Sequence, residues 1–384
     1  MFSSAVYTSF DALPERCLTF LNEFEQSDFF LGNGWFRNFS QNTISTNANV
    51  RIYVICEVGD IAATRAVLFM RTPGGQNGSY SEKYFSGAKT IASMTAHQSI
   101  RFAPAVNESD EQLDAILDAL IQSVCEDDFS WRLVDLNFMN KDSLLYEHLS
   151  KAFTDYGMTV RHYNYRPVLF ENLSGITFKD FIASRSSMVR KTYMRKSRKL
   201  EKSGSVRFEL IKANNLSQAI NDYKIVHDNS WKEAELFPKH DTGVIEASAK
   251  AGALRMGLLY LDNAPVAVQV WIVSSGRATI YKLHYDSNFQ QESVGAVLML
   301  RMFEYMIDVE HINEVDFGVG RETAKSHWLK SERSLCGMVA FNPKSVGGLF
   351  MLARFSLFIH LNKLKQKLKP GLLTLKKRLF KTNK

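Results

Sequence analysis

Apolar residues recur along this 384-residue chain with two periods, and segments of each period follow one another in a repeated order. From Val50, RIYVICEVGDIAATRAVLFM holds two β-rich runs about a Val58-Gly59-Asp60 turn, which predicts a hairpin. In SDEQLDAILDALIQSVCEDD, Leu113, Ile116, Leu117, Leu120, Ile121 and Val124 form a helical stripe, and Ser109 with Gln112 has the spacing of a capping box. WRLVDLNF (131–138) then reads as a strand, SLLYEHLSKAFTDYG (143–157) as a helix closed by Gly157, and the segment to Phe170 as a returning strand. The second half repeats this order. Strands at 254–261, 265–273 and 277–285 are joined by the turns Asp262-Asn263 and Ser274-Ser275-Gly276, a meander. An apolar helix over 294–309, a strand in INEVDFG, a short helix over 323–330 and a strand ending at Phe341 follow.

A meander feeding a helix and then another strand requires a mixed sheet, because the crossover helix must bury its apolar stripe against it. The expected fold class is α/β (α+β) with a mixed sheet, in duplicate. The length suits two domains that each bury a core, with boundaries expected at 1–172 and 173–345 and a tail over 346–384. Between the halves, FKDFIASRSSMVRKTYMRKSRKLEKSG (178–204) places Phe178, Ile182, Val189, Tyr193 and Leu200 on one helical face. Eight Lys or Arg residues between 185 and 202, against one Glu, cover the rest.

Charge is distributed unevenly. The formal total is +7, yet no Asp or Glu follows Glu332 while twelve Lys or Arg residues do, which leaves the rest of the chain at −5. Basicity therefore belongs to the tail, and a nucleic-acid groove in the body is not indicated. The tail mixes apolar and cationic residues around Pro370-Gly371, the composition of a segment that lies on an anionic membrane. Cys17, Cys56, Cys125 and Cys336 are far apart and form no C-x-x-C pair, so neither a metal site nor a disulfide framework is expected. Without a signal-peptide pattern or a membrane span, the expected location is cytoplasmic, peripheral to the inner face of the membrane.

One stretch carries candidate chemistry: DFGVGRETAKSHWL, 316–329. Asp-Phe-Gly suggests a kinase magnesium site, but the chain lacks the H-R-D loop, the G-x-G-x-x-G lid and the V-A-I-K strand that such a site requires. Gly318-Val319-Gly320 is not a dinucleotide loop either, since Thr323 stands where the third glycine is needed. The wider order of motifs is more specific. Tyr285-Asp286, Ser293-Val294-Gly295, Asp316-Phe317-Gly318-Val319-Gly320 and Lys325 with Trp328 follow Ser230-Trp231-Lys232, the basic stretch RKSRKLEKSG (195–204) and FFLGNGWFRNF (29–39).

This series resembles the Fem-like branch of the GNAT superfamily, the acetyltransferases often called CelD-like after cellulose biosynthesis, over residues 5 to 345. Val294 replaces the branch's usual proline, Ala324 its usual aromatic residue, and the general R/Q-x-x-G-x-G/A signature is not met around Gly295. The resemblance implies two tandem GNAT-like domains and an N-acyltransferase that moves an acyl group, acetyl first, from acyl-CoA to an amine. The acceptor implied is a sugar or surface-polysaccharide precursor, lipid-linked or soluble. The first half would shape the acceptor groove.

On this reading Ser293, Val294, Gly295 and Ala296 hold the coenzyme pyrophosphate at a helix N-terminus, where free N–H groups and the dipole favour an anion. The catalytic candidates are His284 and Asp286, which end the strand leading to that helix, and His227, one turn before Trp231. Alternation along RATIYKLHY places His284 with Lys282 and Ile280, opposite Tyr281, Leu283 and Tyr285. Trp231, Lys232, Asp316, Lys325 and Trp328 are the substrate-binding candidates, and no metal is called for. The alternatives are a Fem-type transferase of amino acids from aminoacyl-tRNA and a non-catalytic scaffold in polysaccharide assembly.

Overall fold

The computed structural model describes residues 1–45, 47–59, 63–73, 89–127, 130–203, 206–320 and 323–359. In the first half, β1 (Phe2–Tyr7), α1 (Glu15–Ser27) and α2 (Asn33–Asn42) precede β2 (Val50–Glu57) and β3 (Thr64–Arg71), the expected hairpin. Then come β4 (Thr90–Ser93), β5 (Ala105–Val106), α3 (Leu113–Cys125), β6 (Leu133–Asn140), α4 (Leu144–Asp155) and β7 (Thr159–Asn172). Every residue of the α3 apolar stripe is buried. The capping box expected from Ser109 and Gln112 does not form. Gln112 occupies the cap position without a side-chain bond, and its N–H donates instead to Asp110 Oδ1 (2.9 Å).

The basic connector is two helical pieces where one was expected. α5 (Phe178–Ala183) has a complete capping box of Thr177 with Asp180, and a π-helical turn (Met188–Tyr193) leads into α6 (Met194–Ser203). The break falls at Arg185, which turns inward to donate to Glu171 Oε2 (2.9 Å) and to the Trp328 carbonyl. Its guanidinium also covers the Phe181 ring. A buried charge with this many partners outweighs the continuation of one helix.

The second half contains β8 (Val206–Ile211), α7 (Leu216–Asp228), α8 (Pro238–Lys250), β9 (Leu254–Leu261), β10 (Ala264–Ser274) and β11 (Arg277–Tyr285). α9 (Val294–Asp308), β12 (Glu314–Val319), the four-residue α10 (Thr323–Ser326) and β13 (Ser331–Phe341) complete it. The meander β9–β10–β11 and the crossover helix α9 stand where the apolar periods place them. The fold class is mixed α/β.

All of these strands belong to one mixed sheet, ordered β1-β2-β3-β4-β6-β13-β7-β12-β11-β10-β9-β8, with β5 paired to β3. The two halves exchange their last strands: β13 lies between β6 and β7, and β7 lies between β13 and β12. The sequence boundary near residue 172 is therefore not a boundary in the sheet. Each half contributes one parallel pair, β4 with β6 and β11 with β12. The largest apolar core joins helices of the first half to α7 and α8, and a second core gathers α9, α5 and β9–β12.

Helix α8 packs on α2 through Asn38, whose amide donates to the His240 carbonyl (3.0 Å). Beside this contact Glu25 is buried and accepts from the Gly34 N–H (3.1 Å), while burial raises its carboxyl to about 7. Because the folded value lies above the ordinary 4.5, ionisation is costly in the folded state and stability falls as pH rises from about 4.5 through 7. Glu25→Gln is expected to flatten that dependence. Urea denaturation at pH 5 and pH 8 should show the variant gaining on the parent only at the higher pH.

Residues 346–359 form a helix that buries Met351 and Phe355 against Leu133, Tyr163, Val339 and Phe341. Val346, Phe350 and Leu357 remain exposed. The rest of the expected basic tail, 360–384, lies outside the described residues, as does the 60 end of the Val58-Gly59-Asp60 turn. Among the described residues no helix is long and apolar enough to cross a membrane.

Candidate active site

Strand β11 organises the site. Opposite β10 its register runs Val270↔Lys282 and then Trp271↔Ile280, so Tyr281 is an extra residue, a β-bulge. On its other edge β11 pairs with β12 at Arg277↔Glu314, Ala278↔Val315 and Thr279↔Asp316. Beyond those three pairs β11 continues to Tyr285 and β12 to Val319 with their facing edges parted. Parted edges expose backbone donors and acceptors to an extended ligand.

The bulge also corrects the side-chain phase read from alternation. Tyr281 joins the face of Lys282 and His284, whereas Ile280 packs on the other face with Trp271 and Phe303. One inserted residue shifts a period of two by half a cycle, and no local pattern in RATIYKLHY marks it.

On the face of Tyr281 a buried polar cluster assembles from α7, the loop after it, α8 and β11. The Lys282 ammonium donates to Glu235 Oε1 (3.0 Å) and Asp241 Oδ2 (2.7 Å). Tyr223 donates to Glu235 Oε1 (2.5 Å) and Tyr281 to Asp241 Oδ1 (2.6 Å). Burial, reinforced by these carboxylates, pushes both phenols well above their ordinary pKa. Lys232 donates to the Leu283 carbonyl (2.6 Å), which ties the 229–237 loop to the end of β11.

His284 lies inside this cluster, 4% exposed, with Nε2 at 3.4 Å from the Tyr223 hydroxyl and 3.7 Å from Glu235 Oε1. Burial first, then Lys232, Lys282 and His227, pushes its imidazole down to about 2. The ring is therefore neutral in the folded protein and a weak base there, and Glu235 is the carboxylate that would stabilise a proton on it. His284 Nδ1 and His227 Nε2 are buried without a hydrogen-bond partner, and the two rings stand 5.0 Å apart.

The remaining candidates lie in several places. Asp286 is next to His284 but caps a turn, its carboxylate accepting from the Asn288 N–H (2.9 Å). Ser293 sits at the N-cap of α9 with φ +59° and makes no side-chain cap. Its hydroxyl instead accepts from Lys196 Nζ (2.8 Å), which also donates to the Gln291 carbonyl (2.5 Å). A cation thus stands at the helix N-terminus beside Val294, Gly295 and Ala296, where an anion is favoured. A Cβ on Gly295 would approach the Tyr285 ring to 3.0 Å, so glycine lets α9 start close against β11.

Trp231 is 68% exposed on the loop that holds Glu235. Asp316 and Lys325 stand on the β12 side of the parted strands; Lys325 Nζ points to the carbonyls of Phe317 (3.4 Å) and Val319 (3.3 Å). Trp328 is separate from all of these, stacked between Phe303 and Tyr193 in the second apolar core. Arg321 and Glu322 lie outside the described residues.

Several residues of the site escaped sequence reading: Tyr223, Glu235, Asp241, Tyr281, Lys282 and Arg101. Lys282 within an apolar strand was a readable signal, since a charge on a buried strand needs a partner. Arg101 gave none. From the first half it holds Asp28 with two bonds (2.6 and 2.8 Å) and donates to Thr279 Oγ1 (3.1 Å), where β11 and β12 part. Its Nη1 is 3.9 Å from Asp316 Oδ2. Asp316, the aspartate of the Asp-Phe-Gly triplet, accepts from Thr279 (3.1 Å) and from the N–H of Gly318 (2.9 Å), a glycine with φ +59°. It is therefore a fastening of the sheet.

Residues 187–326, from the π-helical turn to α10, match the model of an acetyltransferase (GNAT) domain. No curated protein matches the chain. Among solved structures, FemX is similar with a TM-score of 0.58 at 11% identity, over 88% of this chain and 98% of that one. L-PGS from Bacillus licheniformis is similar with a TM-score of 0.51 at 12% identity, over 89% and 96%. A conserved protein of unknown function from Bacteroides thetaiotaomicron gives 0.51 at 10% identity, over 85% and 97%. The fold is the GNAT fold, and the chain carries the domain of an acyltransferase.

Proposed function

We propose that the protein is an N-acyltransferase of the Fem-like, CelD-like kind, moving an acyl group, acetyl first, from acyl-CoA to an amine on a sugar or surface-polysaccharide precursor. The observation that supports this most is the coincidence of three features at the end of β11: parted parallel strands, the bulge at Tyr281 and a neutral buried imidazole.

The residues present suit that co-substrate. Lys196 with the first turn of α9 would hold its phosphates, and the parted edges of β11 and β12 would receive its extended thiol arm. Beyond the bulge His284 takes the proton that the amine loses as the carbon–nitrogen bond forms, and backbone N–H groups of the parted edge face the developing oxyanion. The imidazolium so formed returns that proton to the departing thiolate, and Tyr223, 3.4 Å from Nε2, positions the ring. Glu235 and Asp241, bridged by Lys282, hold this arrangement and offer carboxylates to an incoming ammonium. His227 and Asp286 flank His284, and Trp231 with Lys232 border the approach for the acceptor.

Calorimetric titration with acetyl-CoA and longer acyl-CoAs should give saturable binding to the intact chain, weakened by Lys196→Glu. Absence of binding by every acyl-CoA would remove this reading. Transfer of an amino acid from aminoacyl-tRNA could use the same parted strands. Binding of aminoacyl-tRNA, with no response to acyl-CoA, is the result that would select it.

A further inference from the structure

Of the eight basic residues between Arg185 and Lys202, two turn toward the body of the fold. Arg185 is bound by Glu171 and the Trp328 carbonyl, and Lys196 by Gln291 and Ser293. The other six, Arg190, Lys191, Arg195, Arg198, Lys199 and Lys202, all line one surface groove of about 790 Å³. Their convergence has a geometric cause. Residues 195, 198, 199 and 202 have the i, i+3, i+4, i+7 spacing of one face of α6, away from Lys196. The π-helical turn before α6 brings Arg190 and Lys191 to the same side, and such turns recur at functional sites. Arg190 Nε donates to the Arg185 carbonyl (3.0 Å), which fixes that guanidinium at the groove.

The lining residues include no carboxylate. Six cations facing one concavity repel each other and raise a strong positive potential there. Arg and Lys together at this density recognise clustered phosphates, the guanidinium by paired hydrogen bonds and the ammonium as a point charge. The remaining two lining residues are Ile182 and Met194, both apolar, and no aromatic ring is among them. A single-stranded nucleic acid needs aromatic platforms for its bases, whereas an aliphatic stem needs only apolar side chains.

We propose that this groove binds a phosphate or diphosphate carried on an aliphatic chain, the headgroup end of an anionic lipid. None of its lining residues belongs to β11 or β12, and the proposal does not depend on which group the protein transfers. Shared phosphate chemistry would also attract a free polyphosphate, so the apolar stem is the discriminating part.

The test uses the intact chain with farnesyl diphosphate as probe and inorganic pyrophosphate as the headgroup alone, both by calorimetry at moderate salt. Farnesyl diphosphate should bind at least about tenfold more tightly than pyrophosphate, because each buried methylene adds to affinity. The R195E/R198E/K199E variant should lose about tenfold or more for both ligands, since charge pairs at a concave site become repulsive. I182N/M194N should weaken farnesyl diphosphate and leave pyrophosphate unchanged. Unaltered thermal unfolding of both variants checks that they fold.

Equal affinity for the two ligands, or displacement of the probe by an RNA oligonucleotide at comparable concentration, would overturn the assignment. Displacement by saturating CoA would overturn it too, by making the groove part of the co-substrate site.

Discussion

Replacing His284 by glutamine is expected to lower kcat/KM for acyl transfer by about 10²–10⁴-fold, the range a positioned base supplies. Acyl-CoA affinity should change little, because the phosphate end of the site is built from Lys196 and the start of α9. Glutamine keeps hydrogen bonding toward Tyr223 and cannot take a proton, so the variant separates the imidazole's packing from its chemistry. Steady-state kinetics beside calorimetric binding reads both. A kcat/KM within about twofold of the parent would mean that the proton goes elsewhere, a change far below what loss of a base produces. The acid limb of the rate profile should also reveal no group titrating near the ordinary histidine value that belongs to His284, since burial and its cationic neighbours hold it near 2.

Arg101→Met carries the largest expected effect on stability, a loss of up to about 3–5 kcal/mol, the upper range being that of a fully buried ion pair deprived of one partner. The guanidinium is the counter-charge of Asp28 and lies beside Asp316. It rests on the Phe30 ring at 4.7 Å. Methionine fills part of the volume and leaves the partly buried Asp28 and the buried Asp316 without that counter-charge. Urea denaturation should show the shift in a single transition, because the exchanged strands β7 and β13 couple the halves. Arg101→Lys should recover only part of it, as an ammonium cannot reproduce the paired bonds to Asp28. Two separate transitions in the parent protein would contradict the coupling inferred from the sheet.

The candidate site was half legible. His284, Asp286, Ser293 and Gly295 could be placed beside one another because strand, turn and helix N-terminus are consecutive, and local order reports local neighbours. Their roles were less accessible. Asp286 is occupied by its own turn, and Ser293 binds Lys196 in place of its helix. Trp328, read with Lys325 as a pocket residue, faces the apolar core because α10 is shorter than expected and β13 starts soon after it. Glu235 and Asp241 sit 47 and 41 positions from Lys282, distances over which a sequence shows no pairing.

By itself the sequence determined many of the elements. Periods of two and 3.6 state which side of each segment must leave water, and that suffices for the meander, the crossover helix, the duplicated order and the cationic face of residues 185–202. Tertiary structure decided which surfaces meet: the exchange of β7 and β13, the clamp of Arg101 across both halves, and the collection of six cations into one groove. It also decided the phase of β11 at Tyr281, since a bulge is a property of pairing with a neighbouring strand, here β10. Burial is encoded residue by residue, whereas pairing is a property of two distant segments together, and the chemistry of this site resides in the pairing.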